Sequence, residues 1–568
     1  MSQRESNLST PRIGKNLQVE DGTDYFEAKS PNPTAKFEEG ALREGPPLDT
    51  KSKNYFGFLF QYAGAGLIYS VLYSLTYPFL NNYLRMSGIA TASAYVLIAL
   101  PWSLKTFFGL ITDCYPIFGY RRRPYMVIGW AVCTVCSFVM AVLPEGEPDY
   151  PDNSWASLSE SALTADQIAE INYDAPNTGI KFVLLMIVAN LGMVLSFTAC
   201  GGTLVELSQR EGEERRGDLQ TMIWVARDAG GVVASALVGF GLNSEEYGGT
   251  FAGSIRVGGL MGICTATSLI TGAVAWYCID EEKVERRSMH VELGKLFDLI
   301  QYRVVYQVLA YQFFGNMFSY VSVTASTPLQ SVWLTISPVN SSIATIISTF
   351  ISMASLLAVR QWGLNWNWRW MIVITELAVV FVDCIPTFLT IWDVVRSQWF
   401  WLGVPLLEQV PTNIGFIVST YCMVEIMEEG NEAAFYGLVV AVSSLASPFA
   451  TVITKNIDAN FDIATADLQR DDTEVRQQVT YAYLCSYACK IFSTVFVLLI
   501  PRQKAETQEM RHNGGKSKLV GVIVVIIVAF TYVWTIMTNI MSIFPSTSCY
   551  QIAGGDGFLL DLLIVFHF

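Results

Sequence analysis

The stretch Gly109-Leu-Ile-Thr-Asp113-Cys-Tyr-Pro-Ile-Phe-Gly119-Tyr-Arg121-Arg122-Arg123-Pro124 decides how this chain is interpreted. Apolar runs longer than one helix flank it, so that one carboxylate, two glycines and three consecutive arginines stand between two predicted membrane spans. Arginine clusters stay on the cytoplasmic side of a membrane because moving them across it is costly. Gly119 and Pro124 favour a tight turn followed by a helix start. The stretch therefore predicts a cytoplasmic link, which sets the orientation of the rest of the chain.

The composition of the chain is that of a membrane protein. Its 568 residues are 52% hydrophobic and 15% charged, whereas soluble proteins carry about 25% charged residues. Residues 143–177 contain eight acidic residues and no lysine or arginine, and basic residues gather in alternate loops. This is the positive-inside pattern, in which acidic residues say little about topology. The net charge of -14 is therefore interpreted as solvated external loops. We expect a multi-pass protein that contacts lipid and has no nucleic-acid partner.

No pattern for a metal or cofactor site is visible. Most of the eleven cysteines lie in apolar runs, and Cys133-x-x-Cys136 is expected to be a pair of small buried residues rather than a redox or zinc motif. The three histidines, His290, His512 and His567, cannot supply a zinc ligand set with the usual spacing. We expect no metal and no cofactor. The scarcity of histidine also disfavours a membrane-embedded transferase, so the chain is not predicted to be an enzyme.

The apolar runs form two sets of six predicted spans and one addition. The first set is 57–80, 89–112, 124–143, 180–206, 219–242 and 257–279. The second set is 302–325, 342–360, 369–391, 398–425, 434–455 and 479–500. A repeat of six and six spans is typical of transporter halves. A thirteenth run, 519–541, is long enough to span as a helix.

Several motifs resemble a known family. A glycine, an aspartate and then Gly-x-Arg-Arg between the second and third spans resemble the signature loop of major facilitator superfamily transporters. The longer string that starts Leu100-Pro-Trp-Ser-Leu-Lys105 and ends at Trp130 resembles the folate-biopterin transporter family, a branch of that superfamily. The motifs Tyr77-Pro-Phe-Leu-Asn-Asn-Tyr83 and Gly430-Asn-Glu-Ala433 fit the same family. The resemblance covers roughly residues 55–500.

The resemblance implies an all-α integral membrane protein of the major facilitator type, with two six-helix bundles related by a pseudo-two-fold axis. We add one extra C-terminal transmembrane helix. The predicted organisation is a disordered cytoplasmic tail (1–55), an N-terminal bundle (56–279), a cytoplasmic linker (280–301), a C-terminal bundle (302–500), and a basic loop with the extra helix and tail (501–568). The expected protein is a monomer in the plasma membrane with a cytoplasmic N-terminus.

Ionisable residues at membrane depth are the candidate functional residues, because such groups are costly in hydrocarbon and usually face a cavity or a partner. The candidates for substrate binding or ion coupling are Lys105, Arg227, Asp228, Asp383, Glu408 and Lys490. The candidates for a cytoplasmic gate are Asp113, Arg121, Arg122, Arg123, Glu206 and Glu425. The competing interpretation is structural: ion pairs between helices, or side chains that reach the membrane surface.

The predicted function is secondary active transport of folate, biopterin or a related pterin by alternating access. Arg227 or Lys490 is the candidate for binding a carboxylate tail, since cationic side chains form charge-assisted bonds to carboxylates. Asp383 or Asp228 is the candidate for binding the ring. Proton symport through Asp228, Asp383 or Glu408 stays open. The alternatives are a carrier of another polar metabolite, such as S-adenosylmethionine, and a non-transporting receptor or scaffold. The missing aspartate in the second-half link 360–369 and the extra span favour the scaffold.

Overall fold

The computed structural model describes residues 41–550, except 87, 150–163, 173, 248, 327–328, 330–332, 335–337, 428–431, 464, 544–546 and 548–549. Lipid cannot form hydrogen bonds with the backbone N–H and C=O groups of long apolar runs, so these groups must bond to each other within helices. Nearly all of the described chain is helical, and its β-pairing is limited to three isolated bridges. The predicted all-α membrane fold is thereby confirmed.

The first six spans lie close to their predicted positions. Their helices are Lys53–Leu75 with its wider continuation Thr76–Tyr83, then Gly88–Ala99 with Lys105–Cys114, Arg123–Val142, Ala175–Ser208, Asp218–Gly241 and Arg256–Cys278. Short helices at Ala165–Ala169 and Met289–Ile300 lie outside the spans. The second span is broken by the tight turn Leu100–Leu104. Pro101 explains this turn, since proline lacks the N–H group of a regular helix.

The second half repeats the plan with more interruptions. Its spans are Arg303–Ala310 with Tyr311–Gly315 and Asn316–Ser319, then Pro338–Ala358 with Val359–Gly363, Trp368–Ile391, Gln398–Gly403 with Val404–Glu408 and Gln409–Ile426, Glu432–Asp458, and Thr473–Ser493 with Thr494–Leu499. In the described part of the chain, 11 helices are long and apolar enough to cross a membrane. The interrupted seventh and tenth spans are not among them.

The described segments before the first span and after the twelfth span both pack on the bundle. The thirteenth helix, Lys518–Ile543, contacts both halves: Tyr532 shares a 2.7 Å hydrogen bond with Thr106 of the second span, and the Trp534 ring lies 5.8 Å from that of Phe449 in the eleventh. The predicted extra helix is present.

At the other end, the structure corrects the predicted tail 1–55. Residues 1–40 lie outside the described residues, but the N–H groups of Leu42 and Arg43 donate to the Gln209 carbonyl at 2.9 and 3.1 Å. The first helix already begins at Lys53, where the Ser52 hydroxyl caps it by accepting from the Tyr55 N–H. The last part of the predicted tail is therefore bound to the bundle, because these bonds satisfy its backbone.

The two halves touch mainly along two pairs of helices, the second span against the eleventh and the fifth against the eighth, and the fourth span also contacts the eleventh. Glycine allows the closest approach. A Cβ atom added at Gly109 would lie 2.4 Å from the Ala433 carbonyl oxygen, and one added at Gly437 would lie 2.7 Å from that of Lys105. Small residues let membrane helices approach closely. Backbone contact therefore fixes the spacing of the halves beside the arginine link.

We expect Gly109→Ala to destabilise this contact by about 1–3 kcal/mol, the usual cost of overpacking. The obstruction is backbone, which cannot swing away as a flexible side chain can. The matched control is Gly262→Ala in the sixth span, where an added Cβ meets nothing within 4 Å. Thermal unfolding of both variants in detergent micelles provides the measurement. Equal midpoints for the two variants would contradict the prediction.

Candidate substrate cavity and arginine gate

A cavity of about 540 Å³ lies between the two halves. The first half contributes two tryptophans and three charged residues, and the second half contributes mostly aromatic, amide and hydroxyl groups. The lining residues that matter below are Trp102, Lys105, Trp224, Arg227, Asp228, Gln312, Asn316, Ser319, Glu376, Asn413, Phe416, Tyr436 and Ser443. Apolar walls with a few fixed polar groups are typical of small-molecule sites.

Lys105 lies in an aromatic cage. Its side chain is 1% exposed, and Nζ lies 4.2 Å from the Trp102 ring centroid, 4.5 Å from that of Phe197 and 5.5 Å from that of Tyr436. The tight turn at Pro101 brings Trp102 and Lys105 together. Aromatic faces attract a cation, but they do not neutralise its charge. Among the described residues, no carboxylate lies within ion-pair distance of this ammonium.

Arg227 and Asp228 occupy the same half of the cavity. The Arg227 guanidinium lies 5.3 Å from the Trp224 ring centroid and 5.8 Å from that of Tyr69. Its Nη1 atom is 4.0 Å from Asp228 Oδ1, at the limit of an ion pair. Asp228 also accepts a 2.5 Å hydrogen bond from Ser352 in the eighth span. Asp228 therefore bridges the halves, while Arg227 remains largely available to a ligand.

The second half supplies one carboxylate and several amides to the cavity. Glu376 accepts a 3.2 Å hydrogen bond from the Ser319 hydroxyl. Asn316 Nδ2 donates to the Gln312 side-chain oxygen at 3.0 Å and to the Ser443 hydroxyl at 2.9 Å. This network holds the polar groups in fixed positions. The second-half wall therefore combines hydrogen-bond acceptors and donors.

Three predicted residues do not line the cavity. Asp383 lies 4.0 Å from Lys490 Nζ and accepts a 3.0 Å hydrogen bond from the Tyr487 hydroxyl. Glu408 interacts electrostatically with both Asp383 and Lys490. These residues form a separate cluster inside the second half, next to Glu376, which also interacts with Lys490. The structure thus divides the predicted coupling residues into two groups.

A dense ionic cluster joins the halves at the arginine link. Asp113 accepts from Arg122 Nη1 at 2.5 Å and from the Ala434 N–H of the second half at 2.8 Å. Arg122 Nη2 lies 3.3 Å from Glu432 and 3.4 Å from Glu206. Glu432 offers its carboxylate to arginines of the other half, whereas Asp113 and Glu206 pair with arginines of their own half. We call these residues, with Arg121 and Arg43, the arginine gate.

Two arginines complete the arginine gate. Arg121 Nη2 lies 2.9 Å from Glu206, and Arg43 Nη1 lies 2.7 Å from Glu432. The side chain of Glu432 is 0% exposed, so it depends on these cations for compensation. Glu432 begins the eleventh span, where the helix dipole also favours a negative charge. Sequence reasoning missed both Arg43 and Glu432, although Glu432 lies in one of the family motifs.

The link is held in place by the linker between the halves. Glu281 accepts from the N–H groups of Arg121, Arg122 and Arg123 at 2.8, 2.9 and 2.9 Å. This carboxylate satisfies the free donors at the helix start. The Arg123 side chain turns away, toward the Trp276 carbonyl and ring. Among the described residues, the contacts of the Arg123 side chain therefore lie within its own half, unlike those of Arg121 and Arg122.

Two further ion pairs cross between the halves on the same face. Glu425 lies 2.5 Å from Arg216 Nη1, and Arg360 Nη2 donates to Asp218 at 2.9 Å. Arg360 lies in the second-half link, which lacks the aspartate that is present in the first half. Asp218 of the first half supplies a carboxylate to Arg360 instead. Sequence reasoning did not select Arg216, Asp218 or Arg360, because each lies near a helix end where charge is common.

The loop before Asp218 predicts a pH effect. Glu211 accepts from the N–H groups of Gly217 and Leu219 at 2.9 and 3.0 Å, yet burial raises the pKa of its carboxyl to about 7. The native state thus holds this proton more tightly than the unfolded state does. Its contribution to stability is present at low pH and lost as the pH rises through about 7.

We therefore expect the midpoint temperature of unfolding to decrease as the pH is raised from 5 to 8. Glu211→Gln should make the midpoint temperature less dependent on pH. Glutamine has the same shape but no titratable proton. Glu214 is exposed on the same loop, so Glu214→Gln provides a matched control that should retain the slope. Scanning fluorimetry across this pH range measures the effect, and an unchanged slope in Glu211→Gln would refute the assignment.

The arrangement of the helices is a fold of the major facilitator type. The chain superposes on the crystal structure of a D-xylose-proton symporter with a TM-score of 0.54 and 13% sequence identity, covering 82% of this chain and 99% of that chain. At this level of identity, the match concerns the fold alone.

Sequence comparison finds similarity to folate-biopterin transporters, the family that the motifs resemble. The model of the BT1 family matches residues 66–166. "Probable folate-biopterin transporter 4" of Arabidopsis thaliana is 27% identical over 165 residues, 29% of this chain and 28% of that protein. The folate-biopterin transporter of Synechocystis sp. is 26% identical over 157 residues, 28% of this chain and 25% of that protein. The matched region thus spans about a quarter of these relatives' length.

Proposed function

We propose that this protein is a secondary active transporter that carries folate, biopterin or a related pterin by alternating access. The observation that carries the proposal is the polar cavity between two helical halves whose contact on one face consists of ion pairs. The names of the matched relatives support the substrate class. Residues 56–279 and 302–500 are proposed as the two moving halves, in a monomer with a cytoplasmic N-terminus in the plasma membrane.

The cavity suits a flat, polar ligand with an anionic group. Trp102, Trp224 and Phe416 offer aromatic faces for stacking, and such stacked rings prefer offset or edge-to-face geometry. Arg227 and Lys105 offer positive charge to a carboxylate, the pairing for which an arginine fork is best suited. Lys490 and Asp383 lie outside the lining, so Arg227 is the better candidate for the tail. Asp228 is already bonded to Ser352, which leaves Glu376 as the carboxylate available to a ring.

The arginine gate is proposed to close the cytoplasmic entrance. Contacts between the halves are made by Asp113, Arg121 and Arg122 of the arginine gate and by Glu425 beside it. Glu206 pairs with the same arginines and supports their positions. Such contacts stabilise one access state and must break in the other. A state in which these pairs are formed would have its cavity shut on that face.

Ion coupling is assigned to the second-half cluster. Among its described residues, this cluster has one cation, Lys490, which interacts with three carboxylates: Asp383, Glu408 and Glu376. The Tyr487 hydroxyl donates a hydrogen bond to Asp383. Three ionised carboxylates with one ammonium would leave an uncompensated charge at membrane depth, which is costly. A proton bound by the cluster removes that cost. The proposal is therefore proton symport through Asp383 or Glu408.

An uptake panel tests the function. Cells expressing the protein are given tritiated folate, biopterin and S-adenosylmethionine, with and without an inward proton gradient, beside cells carrying an empty vector. We expect gradient-stimulated uptake of folate or biopterin, and loss of the stimulation in Glu408→Gln. Uptake of S-adenosylmethionine alone would show that the protein carries this metabolite instead of folate or biopterin. No uptake of any compound by a surface-expressed protein would favour a receptor or scaffold.

A further inference from the structure

The Lys105 cage has an unusual charge balance for a membrane protein. A buried ammonium without a counter-ion is expensive in an apolar setting, and buried charges are normally paired. Cation–π attraction to the three rings offsets only part of that cost. The Lys105 side chain is 1% exposed and borders the cavity. An anion entering the cavity would therefore gain a full charge interaction there.

The cage is built from both halves of the protein. Trp102 and Phe197 belong to the first half, and Tyr436 belongs to the second. The Lys105 carbonyl oxygen also lies against Gly437, at the closest approach of the second and eleventh spans. Rocking of the halves would therefore remove one wall of the cage. Anion binding at Lys105 is thereby linked to the access state of the transporter.

The wall that the second half contributes has the complementary chemistry. Glu376 accepts one hydrogen bond from Ser319 and, among the described residues, forms no ion pair within 4.0 Å. Gln312, Asn316 and Asn413 lie on the same wall. A ring rich in N–H donors can bond to a carboxylate and amides arranged in this way. The two walls therefore favour a ligand with an acid at one end and a donor-rich ring at the other.

We propose that Lys105 forms a carboxylate-binding subsite and that Glu376 binds the ring end of the same ligand, so that the protein prefers carboxylate-bearing pterins to neutral ones. This inference rests on the proposed function for its ligand class. The inference can be tested without transport, because each subsite binds a separate part of the ligand and binding is measured directly.

The test uses the two halves of folate as separate probes on the purified full-length protein. The probes are p-aminobenzoylglutamate, which has the acidic tail without the ring, and 6-hydroxymethylpterin, which has the ring without the tail. Isothermal titration measures the affinity of each probe. We expect Lys105→Met to weaken tail binding at least tenfold and ring binding less than twofold. Glu376→Gln should show the reverse pattern, and Lys105→Arg should retain most tail binding.

Lys181→Met provides the control, since Lys181 is an exposed lysine in the fourth span and should leave both affinities unchanged. Equal weakening of both probes in Lys105→Met would indicate a structural role and overturn the inference, as would no weakening at all. Absence of probe binding to the unaltered protein would also overturn it. If the probes bind as expected while cells take up neither folate nor biopterin, the proposed function fails and the subsites stand.

Discussion

Glu432→Gln is expected to open the arginine gate and to reduce uptake at least tenfold. The buried Glu432 carboxylate faces Arg43, Arg121 and Arg122, at 2.7, 3.8 and 3.3 Å. Removing one partner of a buried ion pair typically costs about 3–5 kcal/mol, because the remaining charges lose their compensation. Here the uncompensated charges are arginines at the seam between the halves. The closed state therefore loses more stability than the open one.

Spin labels placed at Phe118 and Trp362 measure this effect directly. Both side chains are exposed, at 81% and 68%, and they lie on opposite halves of the face that carries the arginine gate. We expect a longer and broader distance distribution in Glu432→Gln than in the unaltered protein. Glu214→Gln removes an exposed carboxylate from the same face and should change neither distance nor uptake. An unaltered distribution in Glu432→Gln would show that the cluster does not hold the halves together.

Arg227→Ala is expected to abolish uptake while expression and surface delivery stay normal. Arg227, like Lys105, is a cavity cation that no strong ion pair already occupies, and cationic bonds to carboxylates are among the strongest hydrogen bonds in proteins. The loss should exceed a hundredfold in kcat/KM, because a bidentate contact and a stacking surface are lost together. Tritiated folate uptake, normalised to surface protein, gives the measurement.

The controls separate binding from folding. In Arg227→Ala, Asp228 keeps its hydrogen bond from Ser352, so its carboxylate still has a partner. The double variant Arg227→Ala with Asp228→Asn should therefore express as well as the single variant, and it should also be inactive. Arg215→Ala removes an exposed arginine of the link before the fifth span and should transport normally. Normal uptake by Arg227→Ala would remove this residue from the mechanism.

Patterns along the chain predicted the number and order of the spans because hydrophobicity and helix length are local properties. Proline is the local signal for a break in a helix, and Pro101 lies in the tight turn that interrupts the second span. The family motifs correctly indicated the fold and the relatives. In contrast, the bound segment 41–52 could not be predicted, since its polar composition resembles that of an unfolded tail.

The sequence by itself determined a membrane protein of repeated helical halves with an arginine link between the second and third spans, because burial in lipid depends on runs of neighbouring residues. Only the tertiary structure decided which charges meet. It paired Arg122 with Glu432, Arg360 with Asp218 and Lys490 with Asp383, and it left Lys105 in an aromatic cage beside the cavity. Partners far apart in the chain are brought together by helix packing, and the distance between two charges determines their energy.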